Sequence, residues 1–138
     1  MGKVNKKSFP GVICGIGILI LTLLPGSCFS KIHPNPQWGL DKLVHALMFV
    51  VFGFVVLWGY RKSFALLSQK RKKRMALTVA LIGISLGIVT ETLQQTVAKG
   101  RQGDIIDGIA DAIGTLIGIA IFLIFQEKRN KNRKSSVF

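Results

Sequence analysis

The sequence predicts an all-α integral membrane protein: a four-helix bundle with its N- and C-termini in the cytoplasm. Three observations carry that expectation. Hydrophobic residues make up 49% of the 138-residue chain. They gather in four blocks, Phe9 to Leu24, Leu43 to Tyr60, Met75 to Leu93 and Ile105 to Phe125, none containing Lys or Arg. Each block approaches the ~20 residues that a helix needs to cross a hydrocarbon core of ~30 Å. The charge is then distributed between the blocks with a strong bias, 19 Lys and Arg against six Asp and Glu.

That bias decides between two readings of a net charge of +13. A basic chain suits nucleic acid when its cations form one patch, and suits a membrane when they sort to one side of the spans. Here the N-terminal tail carries Lys3, Lys6 and Lys7. The connector between the second and third blocks carries Arg61, Lys62, Lys70, Arg71, Lys72, Lys73 and Arg74, and the C-terminal tail carries Lys128, Arg129, Lys131, Arg133 and Lys134. Only Lys31, Lys42, Lys99 and Arg101 fall on the other side. Basic residues mark cytoplasmic segments, so four spans with both tails inside are self-consistent. Contact with anionic lipid then accounts for the charge, and no nucleic-acid partner is expected.

The organisation follows in chain order. Residues 1–8 are a basic cytoplasmic tail, 9–126 one membrane domain, and 127–138 a second basic tail. The first block begins like a secretory signal, and "LLPGSC" resembles a lipoprotein processing site at Cys28, but Pro25 stands where such sites carry an aliphatic residue. Cys14 and Cys28 are roughly 21 Å apart along a straight helix, which gives no reason for a disulfide between them. Residues 25–40, rich in Pro and Gly, form an external loop. Trp38 precedes the second span, and Trp58 and Tyr60 close it, as interfacial anchors do. Residues 61–74 form a partly helical connector on the cytoplasmic surface, 94–104 a short external loop, and 128–138 a mobile tail. Small residues at four-residue spacing, Gly11 and Gly15, Gly83 and Gly87, and Ala110, Gly114 and Gly118, allow close approach of helix backbones in lipid.

The acidic residues are the informative part. Four of the six lie in "ETLQQTVAKGRQGDIIDGIADAIG", residues 91–114. On the expected topology Asp41 opens the second span, Glu91 closes the third, and Asp104, Asp107 and Asp111 open the fourth, all at the external end. His45 follows Asp41 by one turn on the same face. Glu91 shares a face with Gln94 or Gln95, and the three aspartates form one stripe at i, i+3 and i+7. Helix capping offers a plainer account of Asp41 and Asp104, and the helix dipole one of Asp107. Capping reaches neither Asp111, about 10 Å along the helix from Asp104, nor Glu91, which sits where the dipole disfavours an anion. A carboxylate facing lipid costs at least a few kcal/mol, so these stripes are expected to face one another around a wet pocket.

Such a pocket offers two chemistries. Lys42 and Arg101 can clamp a carboxylate or a phosphate, Arg101 bidentately. His45, with Asp41 fixing its tautomer, can exchange protons with Glu91 and Asp111 near neutral pH. A divalent metal held by His45, Asp41, Glu91 and Asp111 is the weaker alternative, because the spacings match no strong metal signature; serine-nucleophile, P-loop and dinucleotide motifs are absent. No metal and no cofactor are expected.

The segments "DKLVHALMF" and "ETLQQ…GRQGDIIDGIADAIGTLIG" resemble the VanZ-like family of small bacterial membrane proteins. That family has Asp-Lys-x-x-His opening a span, matched by Asp41, Lys42 and His45, and Glu-x-x-Gln closing the next, matched by Glu91 with Gln94 or Gln95. A loop arginine follows, matched by Arg101, then an Asp-rich stretch matched by Asp104, Asp107, Asp111 and Gly114. Where the family has Asn, this chain has Asp111. The resemblance extends over residues 10–125. It implies a multi-pass protein of the bacterial cytoplasmic membrane. The name-giving member is associated with low-level resistance to the glycopeptide teicoplanin, which acts on cell-wall precursors outside the membrane.

Two functions of different class follow. One is a cell-envelope protein whose outward-facing residues Asp41, Lys42, His45, Glu91, Gln94, Gln95, Arg101, Asp104, Asp107 and Asp111 bind or modulate a lipid headgroup or lipid-linked cell-wall precursor. The alternative is a small membrane enzyme in which His45, Glu91 and Asp111 perform acid–base catalysis on an amphiphilic envelope substrate. An ion-coupled transporter is disfavoured, because the cytoplasmic halves of the blocks carry no ionisable residue to relay a charge.

Overall fold

A computed structural model of the chain describes residues 6–23, 38–97 and 105–135, excepting the side chains of residues 38–41, 97 and 133–135. All regular structure among the described residues is helical, in the order α1 (Phe9–Leu23), α2 (Trp38–Gly59), α3 (Arg61–Ala65), α4 (Gln69–Val97) and α5 (Ile105–Ser135). Three helices, α2, α4 and α5, are long and apolar enough to cross a membrane, and α1 is a shorter apolar helix. The expected loop 25–40 lies mostly outside the described residues, as do Cys28 and residues 98–104 of the expected 94–104 loop, whose first residues, 94–97, are helical instead.

The helix bounds depart from the apolar blocks in an instructive way. α2 begins at Trp38, so Asp41 stands in its first turn rather than capping it. α4 runs six residues past Glu91 to Val97 and starts at Gln69, so Lys70 to Arg74 continue the helix instead of lying apart on the surface. α5 likewise continues through the expected mobile tail to Ser135. Straight-chain polar residues are good helix formers, and Glu127 and Lys131 pair one turn apart at 2.9 Å. Hydropathy therefore marks the apolar part of each helix and not its ends.

Packing inverts the usual distribution of polarity. The large side chains on the perimeter are apolar and exposed, among them Leu81 and Ile88 on α4 and Ile109, Ile113 and Ile124 on α5. The buried set includes His45, Thr90, Glu91, Asp107, Asp111, Thr115 and Gln126. An apolar perimeter of this extent suits lipid as the solvent.

α2 and α5 form the most extensive interface; α4 packs on α5, and α1 on α2 and α4. The α2–α5 contact is made possible by glycine. A Cβ on Gly114 would collide with the Ala46 carbonyl oxygen, and one on Gly118 with that of Val50. The expected small-residue ridge is thus the seam along which two backbones touch. Away from it, Phe64 packs edge-on against Phe122 with centroids 5.2 Å apart, within a cluster that includes Leu57, Val79 and Ile119.

One end of the molecule gathers the basic segments. Lys7 Nζ donates to Ser63 Oγ at 2.7 Å. Gln126 Nε2 donates to the Arg61 carbonyl at 3.3 Å, and Arg61 stacks over Trp58, its Cζ 4.8 Å from the ring centre. The segment before α1, the connector helix α3 and the C-terminal part of α5 therefore share an end. Glu91 of α4 and Asp107 and Asp111 of α5 lie toward the other.

Candidate functional site

Each helix contributes to the acidic end from the position its sequence dictates. Lys42 and His45 stand one turn apart near the start of α2, Asp107 and Asp111 one turn apart near the start of α5, and Glu91 and Gln94 one turn apart near the end of α4. α4 runs opposite in direction to α2 and α5, so these three pairs occupy comparable depths.

Two layers result. In the layer nearer the helix ends, Lys42 Nζ donates to Asp107 Oδ1 at 3.0 Å, their side chains 26% and 9% exposed. Asp107 also lies in the first turn of α5, where the helix dipole favours an anion. One turn deeper, His45 Nδ1 lies 3.4 Å from Asp111 Oδ1 and 4.0 Å from Glu91 Oε1. His45, Glu91 and Asp111 each present a ligand atom within 4.8 Å of the other two; His45 and Asp111 are fully enclosed, and the Glu91 side chain is 10% exposed. Gly87 on α4 allows this depth: a Cβ there would stand 3.1 Å from the Asp111 Cβ and 3.2 Å from its Oδ2.

The structure thus brings together Lys42, His45, Glu91, Asp107 and Asp111. It separates the glutamines: Gln94 is buried and donates through Nε2 to the Thr22 carbonyl at 3.0 Å, whereas Gln95 is exposed. Arg101 and Asp104 lie outside the described residues, as does the side chain of Asp41.

Hydroxyls not anticipated from the sequence line the same interior. Thr90 Oγ1 donates to the Gly87 carbonyl at 2.7 Å, Thr115 Oγ1 to that of Asp111 at 2.9 Å, and Thr22 Oγ1 to that of Ile18 at 2.9 Å. Bonding back to the preceding turn satisfies each hydroxyl locally, so none of the three needs a distant partner. Their available signal was spacing: Thr115 follows Asp111, and Thr90 precedes Gln94, by one turn.

The chemistry of this arrangement is that of a buried imidazole between two carboxylates, beneath a lysine–aspartate pair. It can exchange a proton, hold a cation, or receive a polar group entering past Lys42. The fold and the site together define a helical membrane protein with a charged cluster enclosed between its apolar helices. The chain belongs to the VanZ/LLP1 family, whose model matches residues 20–126, more than half of the sequence. Comparison with curated proteins and with solved structures finds no significant match in either.

Proposed function

We propose that this VanZ-like protein crosses the bacterial cytoplasmic membrane four times, with both termini and the basic connector inside. The cluster around His45, Glu91 and Asp111 then opens outward and engages the polar headgroup of a lipid or lipid-linked cell-wall precursor.

The observation that carries this reading is the segregation of charge. The basic connector and the C-terminal part of α5 gather at one end, joined by the Gln126–Arg61 hydrogen bond, and the buried acidic cluster lies toward the other. Cations collect on the cytoplasmic side, which directs the cluster outward. Lys42, a quarter exposed at 26%, supplies a cation at the entrance for a phosphate or carboxylate, and Arg101 is the second candidate. The association of the name-giving family member with teicoplanin resistance agrees with a role among cell-wall precursors.

Lipid and cell-wall precursor profiling of a deletion strain tests the proposal. A headgroup or precursor pool that changes on deletion, and recovers with wild type but not with Glu91→Gln, is expected. Indistinguishable profiles in all strains would contradict it.

The enzymatic reading draws on a separate observation, the 3.4 Å approach of His45 Nδ1 to Asp111 Oδ1. Carboxylate-oriented imidazoles act as general bases. This reading requires a product that appears with wild type and disappears with His45→Ala; unchanged chemistry in that variant dismisses it.

A further inference from the structure

We propose that His45, Glu91 and Asp111 bind one divalent first-row transition-metal cation. The inference stands apart from the headgroup reading, because it concerns the inner layer alone and requires no organic ligand.

Geometry is the first support. Two ligand atoms held ~2.1 Å from one tetrahedral ion stand ~3.4 Å apart. His45 Nδ1 and Asp111 Oδ1 already have that separation, at 3.4 Å. His45 Nδ1 and Glu91 Oε1, at 4.0 Å, need to close by roughly half an ångström on the same measure. The three residues come from three helices, so the cluster is a product of the tertiary fold rather than of a run of acidic sequence.

Burial is the second. Asp111 is 0% exposed; its Oδ1 faces only the His45 imidazole at the long distance of 3.4 Å, and among the described residues no donor meets hydrogen-bond geometry at its Oδ2. A buried carboxylate ordinarily receives several hydrogen bonds. Asp111 is aimed into the space it shares with His45 and Glu91, and a cation there would satisfy it.

Charge is the third. Two carboxylates converge at this depth, and Lys42, about one turn from His45 on α2, is paired with Asp107. A divalent cation with a neutral imidazole makes the inner layer electrically neutral, which matters where water is excluded. The donor set indicates which ion: a nitrogen with two carboxylate oxygens suits Zn²⁺, Mn²⁺ or Fe²⁺, whereas Mg²⁺ and Ca²⁺ prefer oxygen alone. Three protein ligands leave a coordination position open.

The test uses the full-length protein in detergent, tag removed and chelator-stripped, titrated calorimetrically with Zn²⁺, Mn²⁺ and Mg²⁺. One equivalent of Zn²⁺ should bind, with affinity reduced at least 100-fold in Asp111→Asn and in Glu91→Gln, and unchanged in Thr96→Ala, at an exposed position of α4. Helical circular dichroism identifies the folded variants, so either acidic substitution supplies the result if the other fails to fold. Co²⁺ should give visible absorption that Asp111→Asn or Glu91→Gln abolishes. Absence of stoichiometric Zn²⁺ binding to wild type, or binding undiminished in a folded Asp111→Asn or Glu91→Gln protein, would overturn the proposal. Unaltered precursor pools in the deletion strain would leave it intact, since those report on the headgroup reading alone.

Discussion

Lys42 and Asp107, 65 residues apart in the chain, meet at 3.0 Å between Nζ and Oδ1 and tie the start of α2 to the start of α5. The pair stands directly above the His45–Asp111 layer and links the two helices that share the largest interface. A charge-assisted hydrogen bond of this kind contributes about 1.5–3 kcal/mol when partly screened from water. Lys42→Asp or Asp107→Lys alone should lower the thermal unfolding midpoint in detergent. The exchanged pair, Lys42→Asp with Asp107→Lys, should recover at least half of the loss. Failure of the double variant to recover would separate the two residues energetically.

The glycine seam predicts a second effect. Gly114→Ala places a methyl group against the Ala46 carbonyl, forcing α2 and α5 apart at a cost of about 1–3 kcal/mol. Gly17→Ala, where an added Cβ meets nothing within 4 Å, should leave the unfolding midpoint unchanged or slightly raised, alanine being the better helix former. Equal effects at the two positions would refute the seam.

Gln94 makes a third case. Its Nε2 bonds to the Thr22 carbonyl, connecting α4 to the end of α1. Gln94→Leu should remove about 1 kcal/mol of local stability and raise amide hydrogen exchange near Thr22 several-fold. Gln95→Leu, at an exposed position, should not alter exchange there.

Much of this arrangement was legible in the residues. Long apolar blocks without cations announced the helices, and the stripes of Asp107 with Asp111, and of Glu91 with Gln94 or Gln95, announced polar surfaces; His45 was expected to share a face with Asp41, whose side chain lies outside the described residues. The choice between Gln94 and Gln95 was not legible, because both lie about one turn from Glu91; packing against α1 selects Gln94. Nor was the depth of Asp111, which depends on the missing side chain of Gly87 on another helix. The helix ends were hidden for a different reason. Segments such as Lys70 to Arg74 and Glu127 to Ser135 are polar yet compatible with helix, so hydropathy falls before the helix does.

The most direct test of the account concerns which side of the membrane the acidic end faces. In a background of Cys14→Ser and Cys28→Ser, Gln95→Cys and Lys73→Cys report on the two ends of α4, both at exposed positions. A membrane-impermeant maleimide applied to intact cells, their outer layers made porous where needed, should label Gln95→Cys and should reach Lys73→Cys only after the cytoplasmic membrane is permeabilised. Labelling of Lys73→Cys in intact cells with Gln95→Cys protected would turn the polar cluster toward the cytoplasm and contradict the account.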